Sequence, residues 1–117
     1  MKVLVCGGRN YADRKKVFEI LDAIQPKPDC IIEGGAKGAD RLAREWAANA
    51  FVRVETYDAD WKRYGHAAGP LRNKRMLIEG EPDLVIAFPG GRGTANMTAK
   101  AEQYGVDVQT PITTNLT

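Results

Sequence analysis

The stretch Leu84-Val85-Ile86-Ala87-Phe88-Pro89-Gly90-Gly91-Arg92-Gly93-Thr94 carries an unbroken apolar run straight into a glycine-rich turn. A short run with no polar alternation is the pattern of a strand covered on both faces, as parallel strands are. Beyond the glycines, Thr94 to Tyr104 reads as a helix closed by Gly105. Strand, glycine turn and helix in that order are half of a βαβ unit. The same order recurs on either side. Upstream, Val3-Leu4-Val5-Cys6 is a first strand, and Val17, Ile20, Leu21 and Ile24 follow at helical spacing before Pro26 and Pro28. Cys30-Ile31-Ile32 is a second strand, and Ala39, Leu42, Ala43, Trp46, Ala47 and Ala50 form a second helical stripe. Phe51 to Thr56 reads as strand three, with Val52, Val54 and Thr56 on one face. A longer loop with Asp58, Asp60, Trp61 and Tyr64 then leads to a helix from Pro70 to Glu79, proline being favoured at a first helical position. Val106 to Val108 is strand five. The expectation is an α/β, Rossmann-like domain: a parallel five-stranded sheet with right-handed crossovers and helices on both faces. It fills residues 1–117 as a single unit, with 110–117 a loose tail.

Composition narrows the function. At 117 residues and 12.9 kDa the chain holds one core and no second domain. A net charge of +2 is small for a protein that must neutralise many backbone phosphates, so nucleic acid is not the expected partner. No stretch approaches the roughly 20 apolar residues of a membrane span, and the N-terminal apolar run is too short for an export signal. A cytoplasmic location is expected, with Cys6 and Cys30 as reduced thiols in apolar runs rather than a disulfide. His66 is the only histidine, so neither a catalytic triad nor a metal site is expected, and no cofactor is called for.

The glycines carry the chemistry. Three loops hold eight of the chain's twelve: Gly7 and Gly8, then Gly34, Gly35 and Gly38, then Gly90, Gly91 and Gly93. All three follow strands, and ligands of open α/β sheets bind outside the carboxyl ends of the strands. The second and third loops run into helices, whose free N–H groups attract anions. Arg9, Lys37, Arg72 and Arg92 add positive charge nearby, and Thr94 adds a hydroxyl. A phosphate-bearing ligand fits this edge better than a neutral one, with Pro89 to Thr94 as its main cradle. No GxxxxGK[ST] occurs, and Gly91-x-Gly93-x-x-Asn96 is an incomplete GxGxxG, so neither P-loop NTPase nor ordinary dehydrogenase chemistry is supported. Glu33 ends a buried strand and needs a partner, an arginine or a ligand hydroxyl. Asp40 opens the second helix, either to suit its dipole or to meet a ribose or base. Arg72 and Asn73 open the helix after Gly69-Pro70, where an arginine opposes the dipole and calls for an anion. Trp61 and Tyr64 are candidates for stacking on a base, or for packing and oligomer contacts.

The segments CGGRNYAD (6–13), EGGAKGADRLAREWA (33–47), YDADWKRYGHAAGPLRNKRM (57–76) and DLVIAFPGGRGTANM (83–97) resemble the SLOG superfamily, in its YspA/cpYpsA-related branch of bacterial and phage proteins. The resemblance implies a compact Rossmann-like fold, a nucleotide or nucleotide-derived ligand, and a homo-oligomer. More distantly, the chain is similar to the DNA-processing protein DprA and to cytokinin-activating phosphoribohydrolases. The latter cleave N-glycosidic bonds with an arginine of an Arg-Lys pair and the glutamate of PGGxGTxxE. Arg72 matches that arginine, but Asn73 stands in place of the lysine and Met97 in place of the glutamate. Methionine cannot handle a proton. Hydrolysis therefore requires another acid, with Glu33, Asp40 and Asp60 the candidates. The leading expectation is a pocket that senses, sequesters or processes a nucleotide-type molecule, followed by an N-glycosidic hydrolase with a non-standard acid, and then by single-stranded DNA binding.

Overall fold

The computed structural model describes residues 1–111, so the tail expected over 110–117 lies outside the described residues from 112 on. Five strands form one sheet: β1 (Lys2–Cys6), β2 (Cys30–Glu33), β3 (Arg53–Thr56), β4 (Leu84–Ala87) and β5 (Asp107–Gln109). All pairings are parallel, in the order β3-β2-β1-β4-β5. Side-chain alternation divides the core in two. Val3, Val5, Ile31 and Ile86 face α1 (Arg14–Asp22) and α2 (Ala39–Ala50), packing on Val17, Leu21, Ala43 and Trp46. Leu4, Cys6, Cys30, Ile32 and Val85 face the other way, onto Met76 and Leu77 of a later helix and Met97 and Ala101 of the last one. Both faces are dry, which explains why the central strands show apolar runs rather than alternation. Each fully buried Val, Leu or Ile contributes about 1.5–3 kcal/mol. Trp46 is buried as well, and its Nε1–H donates to Asp22 Oδ1 at 2.8 Å, tying α2 to the end of α1.

The loop after β3 is more structured than its sequence suggests. It contains α3 (Trp61–Tyr64), a 3₁₀ turn (Gly65–Ala67) and then α4 (Ala68–Ile78). Asp60 caps α3, its Oδ1 accepting from the Arg63 N–H at 3.1 Å. A four-residue helix is too short to leave a 3.6-residue periodicity. α4 starts two residues before Pro70, and Gly69 in its first turn leaves room for Trp61: a Cβ there would stand 3.3 Å from the indole. Arg72 and Asn73 therefore lie in the second turn of α4 and do not open the helix. α5 (Arg92–Gln103) likewise begins two residues earlier than expected, so Arg92, Gly93 and Thr94 form its first turn. Phe51, expected in strand three, instead terminates α2 in a left-handed conformation, φ 57°.

This topology positions the site. From β1 the chain builds outward to β2 and β3, then returns to the other side of β1 as β4. The β1 and β4 carboxyl ends flank the switch point, where open α/β sheets leave a crevice.

Candidate nucleotide-binding cleft

The three glycine loops meet at that crevice and lock together through their backbones. The Gly8 N–H donates to Pro89 O at 2.9 Å, and the Ala39 N–H donates to Gly8 O at 3.2 Å. Glycine is required at these crossings. A Cβ on Gly7 would stand 2.6 Å from Ala39 Cβ, and one on Gly90 would stand 2.6 Å from the Gly8 nitrogen. Gly38 combines φ +74° with backbone at its flank, where a Cβ would approach Arg9 O within 2.6 Å and Gly8 O more closely still. Gly91 and Gly93 differ: a Cβ on either meets nothing within 4 Å. Of the eight loop glycines, some join loop to loop, Gly34 and Gly35 make room for the Arg72 and Asp58 side chains, and Gly91 and Gly93 face open space.

The open space is a cleft of about 720 Å³. Gly7, Gly8 and Arg9 line it from β1, Arg72 and Asn73 from α4, and Gly91, Arg92, Gly93 and Thr94 from the β4–α5 turn. Asp40 lines it from α2. A second cavity of about 500 Å³ adjoins it, with Gly34, Gly35 and Lys37 in its wall and Arg9 and Arg72 shared between the two. Glu33, Gly38, Asp60, Pro89 and Gly90 line neither. Trp61 lines both cavities and Tyr64 lines neither. The cleft also includes Cys6, His66, Gly69, Pro70, Met76 and Asn96, which sequence reasoning did not select. Only Asn96 carried a signal, as the last position of the incomplete GxGxxG.

Each polar group here has a definite environment. Glu33 is fully buried: Oε1 accepts from Arg44 Nη1 at 2.6 Å and from the Gly35 N–H at 2.8 Å, and Oε2 accepts from the Thr56 hydroxyl. Its partner is therefore an arginine of this chain. Asp40, 6% exposed, accepts at Oδ2 from the N–H groups of Gly34 (2.9 Å) and Ala36 (3.4 Å). Its Oδ1 makes no hydrogen bond among the described residues. Arg72 reaches across from α4, donating from Nη1 to Gly34 O at 2.5 Å and from Nε to Asn73 Oδ1 at 3.0 Å. Gly34 makes room for it, since a Cβ there would stand 2.8 Å from the guanidinium carbon. Asn73 is buried and donates from Nδ2 to Gly93 O and to Asn96 Oδ1, both at 3.1 Å. One amide thereby holds Arg72 on one side and the first turn of α5 on the other. The Arg9 guanidinium lies over Trp61, 5.3 Å from the ring centroid.

Positive potential gathers where the backbone also points N–H groups outward. Arg9, Arg72 and Arg92 form no ion pair among the described residues. The first bond of α5 runs from the Ala95 N–H to Gly91 O, so the N–H groups of Arg92, Gly93 and Thr94 precede it. Gly91 gives no side-chain cap, and no acid stands in the first turn. At the cleft floor, burial pushes the Cys6 thiol up to about 12, which keeps it protonated and unreactive. Met97 is fully buried beneath the cleft and presents nothing to it. Among the described residues no three His, Cys, Asp or Glu side chains group as a metal site requires, and no helix is long and apolar enough to cross a membrane.

Residues 1–64, which contain the first two glycine loops, match the YspA, cpYpsA-related SLOG family. The chain belongs to this family. Gene 61 protein of Mycobacterium phage D29 is 38% identical to this SLOG chain, in an alignment covering 92% of this chain and 93% of the phage protein. Among solved structures, DNA processing protein A (DprA) of Streptococcus pneumoniae superimposes with a TM-score of 0.79 at 22% identity. That match covers 98% of this SLOG chain, which spans about half, 51%, of the DprA chain. At that identity the likeness is one of fold, and it agrees with the parallel Rossmann-like sheet.

Asp40 gives the SLOG domain a pH signature. Burial, with a smaller push from the nearby Glu33 charge, raises its pKa from 3.8 to about 6, against hydrogen bonds from Gly34 and Ala36 that lower it. The folded state then holds a proton that the unfolded chain has released, so stability falls as pH rises from about 4 to 6 and levels above that. A shift of this size corresponds to roughly 2–3 kcal/mol. Asp40→Asn keeps an acceptor for the Gly34 N–H and removes the titration. Urea unfolding across pH 4–7 is expected to show the variant losing less stability than the parent over that window. Parallel curves would mean that Asp40 is not the group responsible.

Proposed function

We propose that the chain binds a nucleotide or nucleotide-derived small molecule, with a phosphoryl group seated at the N-terminus of α5. One observation carries the reading: three guanidinium groups without ion-pair partners among the described residues border the same cleft as an uncapped helix N-terminus. A helix N-terminus and unpaired arginines both favour an anion, and charge-assisted hydrogen bonds to a phosphoryl oxygen are the strong ones. Trp61, half exposed beneath Arg9, offers an aromatic surface for a base. The protein acts as a module that senses or sequesters its ligand. A cytoplasmic location, supported by the phage relative, and a homo-oligomeric state, supported by the family resemblance, go with this reading.

Equilibrium binding to AMP, ADP-ribose, NAD and cyclic nucleotides tests it, with adenosine as control. AMP is expected to bind at least tenfold tighter than adenosine, since hydrogen bonds to a charged group contribute about 1.5–3 kcal/mol. Arg72→Ala is expected to remove most of that difference. No affinity for any phosphorylated member, or salt-sensitive binding to single-stranded DNA alone, would overturn the reading.

Asp40 favours a second reading, N-glycosidic hydrolysis. Of the three candidate acids, Glu33 is consumed by Arg44, Thr56 and Gly35, and Asp60 caps α3 away from the cleft. Asp40 lines the cleft with a free oxygen and a pKa near 6, suited to taking a proton from attacking water as the base departs with the bond electrons. Release of free base from a nucleoside monophosphate, lost in Asp40→Asn with binding retained, would establish it. Nucleotide recovered intact would exclude it.

A further inference from the structure

The second cavity differs chemically from the cleft beside it. Its wall includes Arg9, Asn10, Lys37, Asp58, Trp61 and Arg72. Arg9, Trp61 and Arg72 also line the main cleft, so the two spaces are continuous across a bridge of two guanidinium groups and an indole. Beyond the bridge, the second cavity adds one cation, Lys37, and one anion, Asp58, which balance. Neither side chain forms a hydrogen bond or ion pair among the described residues. The start of α2 gives no anion site here, because Asp40 already sits in its first turn and takes the Gly34 and Ala36 N–H groups. Asp58 lies across Gly35, whose missing side chain leaves room for the carboxylate: a Cβ there would stand 3.2 Å from Asp58 Cγ. Beyond the two guanidinium groups of the bridge, a carboxylate beside an amide and an ammonium accepts from hydroxyl groups and repels a further phosphate.

We infer that the ligand is two-lobed, a nucleoside diphosphate bearing a sugar unit, with the sugar hydroxyls donating to Asp58 in the second cavity. The inference rests on the phosphoryl assignment above. The first phosphoryl group occupies the α5 terminus, the second lies along Arg9 and Arg72, and the polyol continues into the cavity of Asp58 and Lys37. The two cavities, about 720 and 500 Å³, together exceed the roughly 300–1,000 Å³ of a pocket for a single drug-sized ligand.

The experiment compares ADP, ADP-ribose and ADP-glucose by isothermal titration on the full chain and on Asp58→Asn. Asp58 is exposed and makes no hydrogen bond among the described residues, so the variant keeps its fold. At least one of the two sugar-bearing diphosphates is expected to bind about tenfold tighter than ADP. Asp58→Asn is expected to erase that advantage, its loss falling about tenfold more on the sugar-bearing diphosphates than on ADP. ADP bound with no gain from either sugar, or an Asp58→Asn loss that falls equally on ADP, overturns the two-lobed ligand and leaves the phosphoryl site standing. No binding of any of the three overturns the phosphoryl site, and the two-lobed ligand falls with it.

Discussion

Gly91→Val is expected to raise the dissociation constant for AMP at least about 100-fold while the protein stays folded, because the two effects act on different surroundings. Gly91 lines the cleft at the start of α5, and a Cβ added there meets no protein atom within 4 Å. An isopropyl group therefore meets open space rather than the core, at a position that lines the cleft together with Arg92, Gly93 and Thr94. The Gly91 φ of −99° lies outside the left-handed region that favours glycine. The stability cost is that of exchanging a glycine N-cap for a poorer one, about 1 kcal/mol, or a few degrees in Tm. Titration of AMP and adenosine, with thermal unfolding alongside, separates the two effects. AMP is expected to lose affinity and adenosine to lose far less. Equal losses for both would place the phosphoryl group away from α5.

Gly38→Val is the opposite case. The fold should suffer, and binding only as a consequence. Gly38 lies where the second loop crosses the first, with Gly8 O and Arg9 O on the side a Cβ would occupy, and with φ +74°. Backbone oxygens cannot move aside as a flexible side chain does. Overpacking of about 1–3 kcal/mol adds to a conformational strain of similar size, about 1–3 kcal/mol. A fall in Tm of roughly 10 °C or more follows for a domain of this length. Gly93→Ala is the companion control. It places a better helix former where space is open, and its Tm is expected to match or exceed that of the parent. If Gly38→Val melted like the parent, the loop crossing would be looser than its contacts indicate.

These glycines also show how far the sequence could be read. That three glycine loops follow strands of one parallel sheet, and so share an edge, was legible from the apolar runs and helical stripes. Which glycine joins loops and which faces the ligand was not, because Gly38 and Gly91 differ only in what the other loops bring beside them. Glu33 was recognised as a buried carboxylate in need of a partner, yet Arg44 lies eleven positions away on the next helix, and only the packing of α2 on β2 brings them together. Arg72 was selected for its charge. Its anchorage on Gly34 O, and the way Asn73 joins it to α5, depend on α4 beginning at Ala68, a boundary hidden by the short α3 before it. Asp58 was legible only as one of two aspartates in a longer loop, where such residues are ordinary. It gains meaning only beside Lys37 and the second cavity.

The central claim is the place of the phosphoryl group, and a crystal structure of the full chain with bound AMP tests it most directly. The account predicts phosphoryl oxygens within hydrogen-bond distance of the Gly93 and Thr94 N–H groups, with Arg72 or Arg9 on the same anion. A phosphoryl group resting instead on residues 35–38, at the start of α2, would contradict it.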